Sequence, residues 1–254
     1  MENNLNNTTE NALPKKKKVD FTLKDFFKKF KLNIEKRFLW NSLNALISGL
    51  LGGSAFAIGT TAFLSVSNKN VGSAIFSLGL LIIFAYGFGF YTSKIGYIFK
   101  STKEQNLMLI PIWLGNLLGA LAVGSLMNFT RSKISYTLTT RASQLCSQKL
   151  SDSIIGILIL SVLCGALMFI ATDNFKNAKN NIQKYGIVVL SSMVFLLCGF
   201  EHFVSNAFLF VVAGSFTVKA MWYLIIMTLG NTIGALIIPL SHSGVKLIQR
   251  MARK

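Results

Sequence analysis

Six apolar stretches dominate the chain and leave few folds open to it. Each has roughly 20 residues or more, enough for a helix to cross about 30 Å of hydrocarbon. Hydrophobic residues make up 52% of the chain and charged residues 14%, whereas soluble domains carry about 25% charged residues. We therefore predict an all-α membrane protein with six transmembrane helices, at residues 42–66, 71–99, 106–128, 153–173, 185–212 and 218–241.

Two motifs occur twice. Leu114–Leu121 reads LGNLLGAL and returns as LGNTIGAL at Leu229–Leu236, 115 residues later. Gly87–Lys94 similarly matches Gly199–Asn206 after 112 residues. Chance is the alternative, because apolar segments use few residue types, but two pairs in the same order argue against it. Each offset contains three spans, which predicts two inverted three-helix repeats with breaks in helices two and five, an arrangement typical of transport pathways.

The net charge of +17 suggests a nucleic-acid partner, but the placement of the basic residues follows membrane topology instead. With the N-terminus in the cytoplasm, 19 Lys and Arg residues fall on the cytoplasmic side and six on the outer side. The positive-inside rule then puts both termini in the cytoplasm. We expect a multi-pass protein of a bacterial-type inner membrane that contacts the lipid bilayer and binds no nucleic acid.

Polar segments flank the membrane domain. Residues 1–19 are rich in Asn and Lys, which predicts a disordered basic arm. Phenylalanines alternate with lysines in residues 20–37, which predicts an amphipathic cytoplasmic helix, either at the membrane interface or packed on the protein. The six-span domain covers residues 38–245, and residues 246–254 form a basic cytoplasmic tail.

Spans three and six share small residues around one asparagine. In lipid, glycines four residues apart allow helix backbones to approach closely. The asparagines should bond between helices or to backbone groups that the breaks leave free. The residues concerned are Gly115, Asn116, Gly119, Gly230, Asn231 and Gly234.

Glu201 and His202 are the only adjacent ionisable pair within a predicted span. A charge at this depth costs at least about 2.5 kcal/mol, so an ionisable residue there indicates a functional site. Gly199 and Asn206 bracket the pair and predict a helix break. We assign His202, which can donate a hydrogen bond or exchange a proton, to a pore. Glu201 would support the break. The alternative is a polar pair that only locks the break.

Thr92 lies at the matching break of span two, where its hydroxyl can donate a hydrogen bond to a passing ion or simply cap freed backbone groups. Bulky apolar residues in the same spans can form hydrophobic constrictions on both sides of a polar centre, excluding water and hydrated cations. Ordinary packing is the alternative for them. These residues are Phe76, Leu80, Phe90 and Phe195.

Sequence patterns of enzymes are absent from the chain. It contains no phosphate loop, no nucleotide-binding glycine pattern and no metal-ligand cluster. Its three cysteines have no metal-binding spacing and predict no disulfide framework. We therefore expect no enzymatic activity, no cofactor and no metal.

Several motifs resemble those of the formate/nitrite transporter family. The span-five sequence Gly199-Phe200-Glu201-His202-x3-Asn206-x-Phe208 is the most specific. The Thr92-Ser93 break is similar to the family's span-two loop. The sequences at 113–116 and 230–234 are similar to its third and sixth helices. Together the resemblance covers residues from about 20 to 245.

The resemblance implies an aquaporin-like fold, a homopentamer with a pore in each protomer, and transport of small monovalent anions such as formate, nitrite or hydrosulfide. Phe76 and Phe195 would then form one constriction. Leu80 and Phe90 would form the other, with Leu163 of span four. Thr92 and His202 would face a central chamber between them. Glu201 and Asn206 would support the span-five break, and Lys149 is the match for the family's basic residue before span four.

Three departures from the formate-type pattern favour hydrosulfide as the permeant anion. Leu160 replaces a polar pore residue, Lys149 lies closer to Gly156 than usual, and Phe90-Tyr91-Thr92 replaces Leu-Phe-Thr. Fewer donors and a less polar path suit a small, weakly hydrated anion. The alternatives are a formate or nitrite transporter, a water- or glycerol-conducting pore, and, in another class, a non-conducting membrane scaffold or sensor.

Overall fold

The computed structural model describes residues 23–130 and 133–251, and within these ranges the regular structure is entirely helical. The chain forms two compact units, Met1–Leu39 and Trp40–Lys254. The helices are α1 (Leu23–Ser65), α2 (Lys69–Tyr86), α3 (Tyr91–Ile95), α4 (Lys103–Leu107), α5 (Leu109–Asn128), α6 (Lys133–Ser151), α7 (Ile154–Asn177), α8 (Asn181–Leu197), α9 (Phe203–Val212) and α10 (Val218–Met251).

Five helical segments in the described residues are long and apolar enough to cross a membrane: Glu35–Ser65, Lys69–Tyr86, Lys103–Asn128, Ile154–Asn177 and Val218–Val245. The fifth predicted span is instead divided into α8 and α9, of 17 and 10 residues. The all-α membrane fold is thus confirmed. The count of six spans and the inverted topology stay predictions.

Both predicted breaks are present, and they have the same backbone form. Gly87 follows α2 with φ 68°, and Gly199 follows α8 with φ 68°. Residues other than glycine are strained in this left-handed region. The chain then becomes extended at Phe90 and at His202, and each of these residues caps the next helix, α3 or α9. The two breaks are therefore built alike, 112 residues apart in the sequence.

Polar side chains define where several helices begin. Asn68 accepts hydrogen bonds from two backbone amides at the start of α2. Ser153 and Asn180 accept from the amides of Gly156 and Gln183 at the starts of α7 and α8. Such capping satisfies donors that the first turn of a helix leaves unpaired.

Two features of the fold differ from the sequence prediction. The connection between spans three and four contains α6, which was not predicted and which packs on α9. Its buried residues Leu138, Ala142 and Cys146 recur every four positions, so they share one helix face. Helix α10 continues to Met251, into the segment predicted as a basic tail. The predicted disordered arm, residues 1–19, lies outside the described residues.

Candidate functional site

Asn116 ties the first break to its neighbours. Its Nδ2 donates to the carbonyl of Gly49 in α1 at 2.7 Å and to that of Gly89 at 2.8 Å. Its Oδ1 accepts from the Tyr91 amide at 2.9 Å. Gly89 and Tyr91 flank the extended residue, so a single buried side chain satisfies the backbone groups that the break frees.

Asn231 serves the second break in the same way. Its Nδ2 donates to the carbonyls of Ser161 in α7 and of Glu201, each at 2.8 Å. Its Oδ1 accepts from the Phe203 amide at 3.1 Å. The repeated sequence motif therefore corresponds to a repeated set of three hydrogen bonds.

Glycines bring the helices close enough for these bonds. A Cβ atom added at any of the four predicted packing glycines would overlap atoms of the neighbouring helix, α1 in the first half and α7 in the second. Backbones in such close contact gain packing energy in lipid, where the hydrophobic effect does not drive helix association. The four positions are Gly115, Gly119, Gly230 and Gly234.

The two breaks meet at Thr92 and His202. Thr92 Oγ1 lies 3.2 Å from His202 Nε2, and both residues are fully buried. The Phe90 ring stacks on the imidazole, with ring centres 5.3 Å apart and planes 4° from parallel. The N-terminal ends of α3 and α9 therefore face each other across a small polar centre.

Hydrogen bonding assigns the proton on the neutral imidazole. The Val204 amide donates to His202 Nδ1 at 3.2 Å, so Nδ1 acts as an acceptor. The proton of the neutral ring then lies on Nε2, which donates to Thr92 Oγ1. The Thr92 hydroxyl proton remains available to a further acceptor. Both groups are thus hydrogen-bond donors in an otherwise apolar surrounding.

Glu201 is held away from this pair by its own partners. Lys149 Nζ lies 2.6 Å from each carboxylate oxygen, and Asn206 Nδ2 donates to Oε2 at 2.8 Å. Asn206 Nδ2 also donates to the His202 carbonyl at 2.9 Å. The ion pair is nearly buried, with the Lys149 side chain 15% and the Glu201 side chain 4% exposed. Lys149 reaches this position from the last turn of α6.

Aromatic rings surround the polar centre. The rings of Phe76 and Phe195 lie 5.5 Å apart and are buried, as are Leu80 and Phe90. Phe56 of α1, which the sequence analysis did not single out, contacts Phe76, Phe90 and His202 at centroid distances of 5.0, 5.0 and 4.7 Å. Sequence alone cannot separate such a phenylalanine from one that only packs.

Leu163 is not part of this group. Its side chain is 45% exposed, whereas its neighbour Cys164 is buried. Successive residues of a helix point about 100° apart, so the two side chains lie in different surroundings, and the role of Leu163 in a constriction stays a prediction.

Lysines gather beside the first break. A 260 Å³ cavity is lined by Lys94, Lys176 and Lys184, together with Ser93 and Thr172. Aromatic rings hold two of these ammonium groups: Lys176 Nζ lies 4.1 Å from the Tyr97 ring centre and Lys184 Nζ lies 4.4 Å from that of Phe175. The cavity mouth is therefore strongly positive.

Apolar helices of membrane length, two broken helices that meet at buried donors, and a basic mouth define a multi-pass membrane transport protein. The sequence profile of the formate/nitrite transporter family matches residues 24–242. The chain belongs to that family, as its span-five motif predicted, and the family is one of transporters rather than enzymes.

Known relatives are similar at low identity. The chain is 23% identical over 168 residues to the formate channel FocA of Haemophilus influenzae, a match that covers 61% of this chain and 58% of that protein. A pentameric formate channel with formate bound has a TM-score of 0.65 and 22% identity, covering 84% of this chain and 99% of the other. An FNT family ion channel has a TM-score of 0.64 and 18% identity, covering 79% and 87%. These structures share the fold.

Proposed function

We propose that the protein is a pentameric membrane channel for small monovalent anions of weak acids, with hydrosulfide as the best candidate. The observation that carries this proposal is the buried contact between Thr92 and His202, 3.2 Å apart and enclosed by aromatic rings. An anion between two apolar constrictions needs donors to replace its hydration shell. These two side chains supply them.

The positive end of α9 adds to the attraction. His202 is the N-cap of this ten-residue helix, whose dipole favours negative charge near its first turn. Oriented dipoles at half-helix ends are a recurrent means of holding ions in broken-helix transporters. A permeating anion would thus receive the available Thr92 hydroxyl proton, the His202 Nε2 proton in exchange for its bond to Thr92 Oγ1, and a favourable field at the midpoint of its path.

The constrictions favour passage of the neutral acid. Phe76 with Phe195, and Leu80 with Phe90, would border the chamber, and all four are buried. Apolar rings offer an anion no donor, so an unpaired charge pays the full cost of desolvation there. A protonated His202 could give its proton to the anion, leaving a neutral imidazole and a neutral acid that crosses at lower cost.

Lys149, Glu201 and Asn206 would position the His202 segment rather than contact the anion. Asn206 links the Glu201 carboxylate to the His202 carbonyl, and Lys149 neutralises the carboxylate. The lysines beside the first break would raise the local concentration of anions at that mouth.

Hydrosulfide is favoured because the path has few donors. Leu160 replaces a polar residue of the formate-type pattern, and its backbone carbonyl accepts from the Glu201 amide at 3.3 Å. The position therefore contributes no side-chain donor to the path. Formate is the second candidate, since two similar proteins are formate channels. Nitrite is a further alternative of the same size class. A pentameric channel among the similar structures supports the pentamer. The distribution of Lys and Arg supports a location in an inner membrane with both termini in the cytoplasm.

Reversal potentials in planar bilayers test the proposal. Purified protein would be placed under gradients of hydrosulfide, formate, nitrite and chloride, with protein-free bilayers and a His242→Phe variant as controls. Preference for hydrosulfide supports the first candidate, and preference for formate or nitrite supports the alternatives. Absence of both current and anion flux in proteoliposomes would refute transport and favour a scaffold or sensor.

A further inference from the structure

Phe56 lies where the two proposed constrictions and the polar centre come together. Its ring is fully buried and lies 4.7 Å from the imidazole of His202. It also contacts Phe76 and Phe90, one ring from each constriction, and lies 6.5 Å from Phe195. The space beside His202 is therefore occupied by a side chain from α1.

The backbone of α1 fixes this ring in place. A Cβ on Gly79 of α2 would lie 2.7 Å from the Ala55 carbonyl oxygen and 3.3 Å from the Phe56 Cα, so the two helices are in direct backbone contact. The Thr60 hydroxyl donates to the Phe56 carbonyl at 3.0 Å. Because the helix cannot shift toward α2, the backbone position from which the Phe56 ring projects toward His202 is fixed.

We infer that Phe56 is a specificity-determining residue: its ring fills the space between the constrictions and limits the size of the anion that can reach His202. The inference rests on the proposed function. It assigns size selection to a span that carries neither break. On this inference, an anion with one heavy atom would reach His202, whereas one with a longer carbon chain would be excluded by the ring.

Truncation of this ring should admit larger anions. In Phe56→Ala, we expect the permeability of lactate relative to that of formate to rise about tenfold or more, the usual worth of steric exclusion in an apolar pocket. Phe56→Met, which introduces the residue found 112 positions later at Met168, should give a smaller rise. The Phe56→Met variant also serves as the test if the alanine variant fails to assemble.

Phe210→Ala is the matched control. Phe210 is fully buried in α9 and lies outside the group of rings around His202. Its truncation should weaken packing but leave the permeability ratio unchanged. An assembled, conducting Phe56→Ala protein with the wild-type ratio would overturn the inference, as would an equal rise in Phe210→Ala.

A second readout separates this inference from the proposed function. The chain has two histidines, His202 and the exposed His242, so ¹⁵N-histidine spectra contain one site signal and one internal reference. Added lactate should shift the His202 signal in Phe56→Ala and not in the wild type. If the wild type transports no anion, the proposed function fails, and the role of Phe56 is then tested by this spectrum alone. An unshifted His202 signal in Phe56→Ala refutes that role.

Discussion

The two broken helices share one backbone design but differ in chemistry. In each, a left-handed glycine ends the first helix, an extended residue follows, and one asparagine binds two carbonyls and one amide. At equivalent positions, however, the first break has Gly89 and Phe90 where the second has Glu201 and His202. The scaffold is duplicated, and at these two positions only the second half has ionisable groups.

This difference places the positive charges differently as well. In the second half, the Glu201 carboxylate is met by Lys149 and Asn206. In the first half, the position of Asn206 is taken by Lys94, which lines the basic cavity. In the second half, Lys149 thus forms a buried ion pair at the break. In the first half, Lys94 is exposed to solvent. The two lysines therefore lie in different surroundings, one in a nearly buried ion pair and the other at the mouth of a cavity.

The asparagine hydrogen bonds that both breaks share lead to the largest expected effect. Asn116→Ala and Asn231→Ala should each lower the free energy of unfolding by about 4 kcal/mol, because each leaves one buried carbonyl and one buried amide of the break unpaired, at about 1–3 kcal/mol apiece. Unfolding of the purified protein in mixed micelles, followed by circular dichroism, measures the loss.

Asn128→Ala is the control for this pair, since Asn128 is exposed and donates one bond to the Val211 carbonyl. It should change the free energy of unfolding by less than about 0.5 kcal/mol. The design is not shared between the halves if Asn116→Ala and Asn231→Ala differ by more than about 2 kcal/mol, a gap larger than one lost hydrogen bond.

The second prediction tests whether the buried lysine and the exposed lysine contribute differently to stability. Lys149→Met should lower the free energy of unfolding by about 3 kcal/mol, because it leaves the Glu201 carboxylate buried without its counter-ion. Adding Glu201→Gln should recover much of that loss. Lys94→Met, in the exposed lysine of the other half, should cost less than about 0.5 kcal/mol. Equal losses for the two lysines would remove the distinction between them.

The third prediction exchanges the extended residues. His202→Phe gives both breaks the same apolar ring, and anion flux should fall about 10- to 100-fold because a hydrogen bond to a charged group contributes about 1.5–3 kcal/mol. The pH dependence of the remaining flux should disappear. Proteoliposome flux measured across the range in which histidine titrates provides the test.

The reverse change, Phe90→His, supplies the matched experiment. It adds a second titratable ring stacked on the first, so flux should continue with an altered pH dependence. Wild-type flux at every pH in His202→Phe would contradict the role given to the second break.

The parts of the site that sequence could predict are those whose residue type is costly in a membrane. Glu201 and His202 are ionisable, and the glycine pattern around them repeats, so the break and its polar centre were predictable. Phe56 was not, because one phenylalanine in an apolar span looks like any other until its neighbours are known. Helix α6 could have been found from the spacing of Leu138, Ala142 and Cys146. Its low hydrophobicity, however, made the segment look like a loop between two spans.

The smallest expected effect concerns the hydroxyl of the first break. Thr92→Val keeps the shape of the side chain and gives the first half the residue that the second half already has at Val204. It removes the acceptor for His202 Nε2 and one donor to the anion. Flux should fall about tenfold, the worth of roughly one hydrogen bond, in the same proteoliposome assay.

Two further variants decide whether the hydroxyl itself is responsible. Thr92→Ser keeps the oxygen and should retain most of the flux. Thr61→Val removes a hydroxyl in α1 that donates only to the Ala57 carbonyl and should have no effect. If Thr92→Val conducts like the wild type, His202 is the side chain that donates to the anion, and the first break contributes only apolar contacts. The asymmetry between the two halves would then be complete, with every polar contact to the anion on one side.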